Sequence, residues 1–564
     1  MKHKILMCLV SLVLTWGYTH AQLSPTRYFI QFTDKNNTPY SLSNPTEFLT
    51  QRAIDRRYTQ NIPIDSTDLP VNPAYIDSVL SQGAVNLIHT SRWLNGITIQ
   101  TTDTTALSAI NNLNFVKQSI YVAPRYASNR DVHHFSKDYV PAPQQSIKYK
   151  YPQSKGVQAY NYGFAFNQID MIKANNLHSQ GYSGESMVIA VLDAGFSKVD
   201  SLVIFDSLRV SGRLLGTKNF VNPGGNVFQA HAHGMMVLST MAAHISTQMV
   251  GIAPKASYWL LKTEYAPTEY VIEEYNWVSA AEFADSVGVD IINSSLGYSE
   301  FDDPTQNHTF ADLDGHTTTV SQGANMAASK GILVVNSAGN SALTPWQRII
   351  APADAPGVLS VGSVNYDNLY SAFSSVGPSA DGRIKPDVAA QGEGTVVAGT
   401  SNNIIVSSGT SFSAPLIAGA AACLWQANPT ATNWEIMDAI RESAHQYQNP
   451  DSLLGYGIPD FAAAHAILNG VYTVNTIKEN ALKIYPNPFK NSLHVLYNAM
   501  NHDIININIY DISGRLVHQM IGHPLHEGRN YIEMKFLSNF SDGFYFIHLQ
   551  TSTNDYRKKI VKSS

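Results

Sequence analysis

This sequence predicts an α/β molecule built on a parallel sheet, with a small α+β unit before it and a small all-β sandwich after it. Three observations carry that reading. Between about residues 160 and 470, continuous apolar runs such as Met187-Val188-Ile189-Ala190-Val191-Leu192 alternate with helical patterns, as expected of a parallel sheet covered on both faces. Near residue 476 the period changes to two: Ile505, Ile507 and Ile509 alternate with Asn506 and Asn508, as do Leu493, Val495 and Tyr497 with their neighbours. At 564 residues the chain is also too long for a single core.

Met1-Lys2-His3-Lys4 is a basic start, Ile5 to Leu14 an apolar run and Thr19-His20-Ala21 a small-residue cleavage site, the pattern of a secretory signal peptide over 1–21. The run is too short to span a bilayer, and no later stretch reaches 18 uninterrupted apolar residues, so no transmembrane segment is expected in the mature form. Cys8 leaves with that peptide. Cys423 is then alone and reads as a small buried hydrophobe, which excludes an internal disulfide and a cysteine zinc site. The net charge of −6 gives no reason to expect nucleic acid.

Residues 22–125 read as the α+β unit. Strands are expected at Tyr28–Phe32, Ala84–Ile88, Gly96–Gln100 and Val116–Tyr121, and helices at Pro45–Arg57, Asn72–Gln82 and Thr104–Leu113. Residues 126–160 lose all pattern and read as a linker. In the sheet region, 161–470, further strands are expected at Ser257–Lys262, Val289–Asn293 and Ile332–Val335. Helices are expected at Gly234–His244, Val278–Val287, Val320–Lys330 and Phe412–Ala427. The sandwich covers 476–564, with turns at Pro486-Asn487-Pro488, Ser513-Gly514, Glu527-Gly528 and Asp542-Gly543.

The chemistry centres on Gly409-Thr410-Ser411-Phe412-Ser413-Ala414-Pro415, between the short strand Ile404–Val406 and the helix. Gly409 permits a sharp turn, and Pro415 is placed near the first helical turn, where a missing N–H matters least. Ser411 at a helix N-terminus is either a helix cap or a nucleophile needing a base. Asp193 ends the first parallel strand, where Asp-x-Gly is also a common turn. His231-Ala232-His233-Gly234 opens a helix; a His-x-His pair can hold metal, but no third ligand stands at a sensible spacing. Asn340 closes another strand, where a side-chain N–H can stabilise an oxyanion.

Taken together, VIAVLDAGF (188–196), HGMMVLSTMAA (233–243), VGIAP (250–254), IINSSLG (291–297), GILVVNSAGN (331–340), YSAFSSVGP (370–378) and SSGTSFSAP (407–415) make the chain resemble the subtilisin-like serine proteases over roughly 310 residues. The resemblance implies a subtilisin-like fold for the sheet region, with Ser411 as nucleophile, His233 as general base and then acid, and Asp193 as its orienter. Asn340 and the Ser411 N–H would form the oxyanion hole. Ser295, Leu296 and Gly297 would pair with the substrate backbone, and Ala338 and Gly339 would line the pocket beside the scissile bond. The sequence departs from the family pattern at Ala194, Met235-Met236 and Phe412, which touches pocket shape and rate rather than reaction type.

No cofactor is needed for that chemistry, and metal is not expected at the catalytic residues. Structural calcium is an expectation at the acidic insertion Asp302, Asp303, Asp312, Asp314 and Gly315, against a plain solvated acidic loop or one that binds basic substrate side chains. The first segment, including Trp93-Leu94-Asn95-Gly96-Ile97-Thr98, resembles the family's propeptide, which caps the active site and assists folding. The tail resembles the C-terminal sorting domain of type IX secretion cargo, through Tyr485-Pro486-Asn487-Pro488, Ile509-Tyr510-Asp511 with Gly514, Gly543-Phe544-Tyr545-Phe546 and Lys558-Lys559-Ile560-Val561-Lys562; a substrate-binding sandwich is the other reading. The whole predicts a secreted or cell-surface serine endopeptidase, its partners being protein or peptide substrates, its own propeptide and the secretion machinery. The rival is an inactive adhesion protein on a protease scaffold.

Overall fold

Seven parallel strands form the centre of the molecule, in the order Val388–Gln391, Val358–Val364, Leu333–Ser337, Ile291–Ser294, Val188–Asp193, Ser257–Lys262 and Leu214–Asn219. This is a computed structural model, and it describes residues 26–124, 159–470, 482–499, 502–526, 528–535, 537–552 and 554–563. The expected signal peptide and nearly all of the expected linker lie outside the described residues. Contacts divide the chain into two compact units, Met1–Ala464 and His465–Ser564.

Every residue of Val188–Asp193 and of Leu333–Ser337 is buried, because helices cover both faces of the sheet; hence the unbroken apolar runs in the sequence. After Val188–Asp193 the chain lays strands first on one side of it and then, from Ile291–Ser294, on the other. The carboxyl ends of these two neighbours therefore flank a switch point, where an α/β sheet opens a crevice. The helices His233–Ala242 and Thr410–Ala427 carry side chains into that crevice; the first is buried at every position. The strand Ile404–Ser407 stays out of the main sheet and pairs antiparallel with Thr395–Ala398, forming a hairpin that delivers the chain to Thr410.

The helix expected from Phe412 begins at Thr410, with Gly409 as its cap residue and no side-chain cap. Ser411 is thus inside the helix, which removes the capping reading. Pro415 consequently sits two residues deeper than expected, as the sixth residue of the helix. The N–H it lacks would have bonded the Ser411 carbonyl, four residues back. That carbonyl instead accepts the Ser295 hydroxyl at 2.8 Å.

Ahead of this sheet, Val85–Ser91, Gly96–Thr101, Thr26–Phe32 and Val116–Pro124 form an antiparallel four-stranded sheet in that order. The expected helix Pro45–Arg57 resolves into a 3-10 turn, Pro45–Glu47, and the helix Gln51–Thr59, because Thr50 caps the second by accepting the Ala53 N–H. The strand Val85–Ser91 packs on the helix Ile272–Ser286 of the large sheet. There Asp285, fully buried, is shared by Arg57 at 2.7 Å, Arg56 and Arg92, and Arg57 also reaches Asp68 at 2.8 Å. Glu282 accepts the Ser91 hydroxyl and the N–H groups of Arg92 (2.7 Å) and Trp93 (3.1 Å).

From Leu482 the second unit is built of two antiparallel sheets, with one 3-10 turn at Leu537–Asn539. One has the order Leu482–Tyr485, Leu493–Ala499, Gly528–Met534; the other Leu516–Leu525, Asp503–Asp511, Gly543–Gln550, Asp555–Lys562. Ile505, Ile507 and Ile509 point into a core shared with Val495, Ile547 and Leu549, as their alternation required. Among the described residues no helix is long and apolar enough to cross a membrane.

Candidate active site

Asp193 is the last residue of its strand and His233 the first of its helix, and both are buried. His233 Nδ1 lies 2.9 Å from each Asp193 carboxylate oxygen. The helix comes this close because Gly234 lacks a side chain: a Cβ there would lie 2.5 Å from the Gly195 carbonyl and 2.8 Å from Asp193 Cβ. Burial alone would depress the His233 imidazole, but the Asp193 carboxylate outweighs it and holds the ring above its ordinary value. Asp193 also accepts the Ala194 N–H at 2.7 Å, so the backbone supplies a donor at the position where Ala has no hydroxyl.

Ser411 is 4% exposed, and its hydroxyl rests on the Ser295 carbonyl at 3.4 Å. Its neighbour Phe412 brings its ring to 5.9 Å from the His233 imidazole. The Asn340 amide oxygen accepts both the N–H and the hydroxyl of Thr410, each at 2.9 Å. With its oxygen tied to the residue before Ser411, Asn340 has Nδ2 left to donate, and that atom lies 3.5 Å from where a Gly409 Cβ would stand. Thr410 Oγ1 in turn accepts the Gly339 N–H at 3.2 Å. Ser295, Leu296 and Gly297 follow the strand Ile291–Ser294, and Ala338 and Gly339 follow Leu333–Ser337, so the two stretches leave adjacent parallel strands side by side.

The His-x-His pair is not laid out as two ligands: His231 Nδ1 accepts the His233 N–H at 3.2 Å, which fixes the start of the helix. In the acidic insertion the carboxylates serve local turns. Asp303 accepts the Thr305 N–H at 3.0 Å, Asp312 the Thr309 N–H at 2.7 Å and Asp314 the N–H groups of His316 and Thr317 at 2.8 Å. Asp302 accepts the Glu269 N–H at 3.3 Å.

The sequence reading did not single out Glu264, Glu269 and Glu273, which are buried and bring carboxylate oxygens within 4.8 Å of one another. Tyr298, next to Gly297, donates its hydroxyl to Glu264 at 2.8 Å. Three acids in ten residues, two ahead of the helix Ile272–Ser286 and one in its first turn, were the available signal. Asn336 was also missed. Its amide donates to the Leu296 carbonyl at 2.9 Å and braces one stretch against the other.

Known proteins match this chain in three places. Residues 184–457 match the Subtilase family, 27–137 the Peptidase S8 propeptide domain of Bacteroidota, and 483–563 the Secretion system C-terminal sorting domain. Subtilisin NAT of Bacillus subtilis subsp. natto is 33% identical over 300 residues, covering 52% of this chain and 70% of that protein. Subtilisin of Bacillus pumilus is 32% identical over 300 residues, covering 52% of this chain and 97% of that protein.

Proposed function

Since the chain belongs to the subtilase family and is a serine-type endopeptidase, we propose that Ser411, His233 and Asp193 are its triad and that Asn340 and the Ser411 N–H form its oxyanion hole. The observation that carries this is the His233 imidazole held by both Asp193 oxygens at 2.9 Å, beside the helix turn that bears Ser411. With Nδ1 donating to Asp193, the lone pair of His233 is on Nε2, and a turn of the Ser411 side chain away from the Ser295 carbonyl presents its proton there. The hydroxyl oxygen then attacks the peptide carbonyl, and the negative charge gathers where Asn340 Nδ2 and the Ser411 N–H can donate. His233 returns the proton to the departing amine, and water repeats the sequence on the acyl-enzyme. Ser295, Leu296 and Gly297 hold the substrate backbone as an added strand, and Ala338 and Gly339 flank the side chain at the cut.

The N-terminal segment is the propeptide, and the C-terminal domain marks the protein for type IX secretion to the cell surface or beyond. We read the first cleavage as intramolecular. Ala123 and Pro124, which end the last strand of the N-terminal sheet, line one cavity with Ala194 and His231, the neighbours of Asp193 and His233. A tethered substrate at that point reacts at high effective concentration. No step passes through a metal; calcium at residues 302–315 would have to draw Asp303, Asp312 and Asp314 from their turns.

A fluorophosphonate tests the reading directly. It should label Ser411 in the secreted protein and leave Ser411→Ala unlabelled, while Asn340→Ala should lower kcat by about 100- to 1000-fold with little change in KM, a range carried over from subtilisin. A native protein that stays unlabelled would restore the inactive-scaffold reading.

A further inference from the structure

We propose that Ile350 forms the floor of the slot beside the scissile bond, and that this endopeptidase therefore cuts after small side chains. This rests on the reading of Ser295–Gly297 and Ala338–Gly339 as the two walls of that slot. Each wall carries a glycine, and a side chain at either would run into Ile350. A Cβ on Gly297 would lie 2.4 Å from both Cγ1 and Cδ1 of Ile350; a Cβ on Gly339 would lie 2.7 Å from Ser375 Oγ, then 2.9 Å from Cγ1 and 3.0 Å from Cδ1 of Ile350. The walls thus face each other across the Ile350 side chain, which is 3% exposed.

Ile350 is also fixed on both sides. Its N–H donates to the Ala338 carbonyl at 3.3 Å, and the next residue, Ala351, exchanges two hydrogen bonds with Tyr298, at 2.8 and 3.1 Å. One wall is therefore laced to Ile350 and the other to its neighbour, so the backbone cannot retreat. A β-branched side chain has few rotamers to offer in its place. A substrate methyl group stops above Ile350, whereas a phenyl ring has to enter the space that Cγ1 and Cδ1 already fill. A hydrophobic pocket discriminates by roughly 10- to 200-fold for each methylene that fits or fails to fit.

The test uses the matured, secreted protein and peptide substrates that differ only in the residue before the cut, Ala or Phe. Active sites are first counted with the fluorophosphonate, and kcat/KM is then measured for each substrate. The native protein should favour Ala over Phe by about 10-fold or more, and Ile350→Gly should shift that ratio toward Phe by about 10- to 200-fold. Ile350→Ala should fall between, and it carries the comparison should the glycine variant fail to fold. Native protein that labels yet cuts after Phe as well as after Ala overturns the proposal, as does a ratio unchanged in variants that label. Native protein that neither labels nor cuts overturns the reading of Ser411 and takes the slot with it.

Discussion

The two segments that bracket the peptidase region in sequence are stabilised by opposite means. The C-terminal unit has a core of its own, from Leu482 and Phe489 to Leu549 and Ile560, and each of its described ion pairs keeps at least one partner exposed, as Arg515 is with Asp511 and Asp542 with Lys562. The N-terminal sheet has a smaller core around Ile30, Phe32, Ile97 and Ile99, and it buries Arg56, Arg57 and Arg92. Those three guanidinium groups converge on Asp285, which belongs to the peptidase region. A buried charge without its partner is costly, so the N-terminal segment is complete only against the helix Ile272–Ser286. A segment that helps another to fold can share its polar chemistry with that partner. One that serves as an address has to hold its shape alone.

Removing the shared charge should give the largest effect. Asp285→Ala, made in Ser411→Ala so that the chain stays uncut, leaves three buried arginines without their common partner and should weaken docking of residues 26–124 by about 3–5 kcal/mol. Hydrogen exchange would read this as lost protection in that segment and unchanged protection in residues 482–563; equal losses in both would break the comparison. Glu282→Ala in the same background removes the acceptor of three hydrogen bonds and should cost about 1.5–3 kcal/mol by the same measurement.

Acid should act in the same place. His89 is half-buried at this interface, its Nε2 at 2.8 Å from Asn276 Oδ1 and its Nδ1 at 2.9 Å from Ser279 Oγ. Burial pushes its imidazole from 6.5 down to about 4, and the cations Lys218 and Arg27 add to that. A lowered histidine value means that docking is strongest with His89 neutral. As the pH falls below about 6.5 the undocked segment takes up a proton that the docked one resists, and docking weakens by up to about tenfold per pH unit until about pH 4. Glu282, whose carboxyl burial raises, works against this and flattens the slope. Binding followed from pH 7.5 to 4.5 should show the loss, and His89→Gln should abolish most of it; a flat native profile would remove His89 from the interface energetics.

The smallest effect sharpens the other half. Deleting residues 476–564 should leave the melting temperature and kcat of the peptidase region unchanged, because the sandwich has a core of its own and the cut falls after the helix Phe461–Leu468. In the native host the shortened protein should accumulate in the periplasm, measured by fractionation.

Much of this arrangement could be read before any coordinates. Strands buried on both faces show near-continuous apolar runs, so Val188–Leu192 and Ile332–Val335 announced themselves, and with them the places of Asp193 and Asn340 beyond their ends. The edge strand Leu214–Asn219 did not, because its only apolar pair, Leu214 and Leu215, gives way at once to Gly216, Thr217 and Lys218, and Leu215, Thr217 and Lys218 are exposed. The helix Ile272–Ser286 begins six residues before the expected start, because buried Glu273 and Glu274 mask its pattern. Asp285 was invisible as an anchor, since Arg57 lies 228 residues away in sequence. Ile350 gave no signal either; it matters only because two glycines from the ends of two neighbouring strands close on it.

Pro415 has a consequence for how such chains change over generations. The proline frees the Ser411 carbonyl from the helix, and Ser295 takes it. With any other residue at 415 a backbone N–H would share the same oxygen and weaken its bond to the Ser295 hydroxyl. Loss of Ser295 alone would strand a buried carbonyl behind the nucleophile. Each half is a liability without the other, so among relatives the two positions should be inherited as a pair, kept together or replaced together.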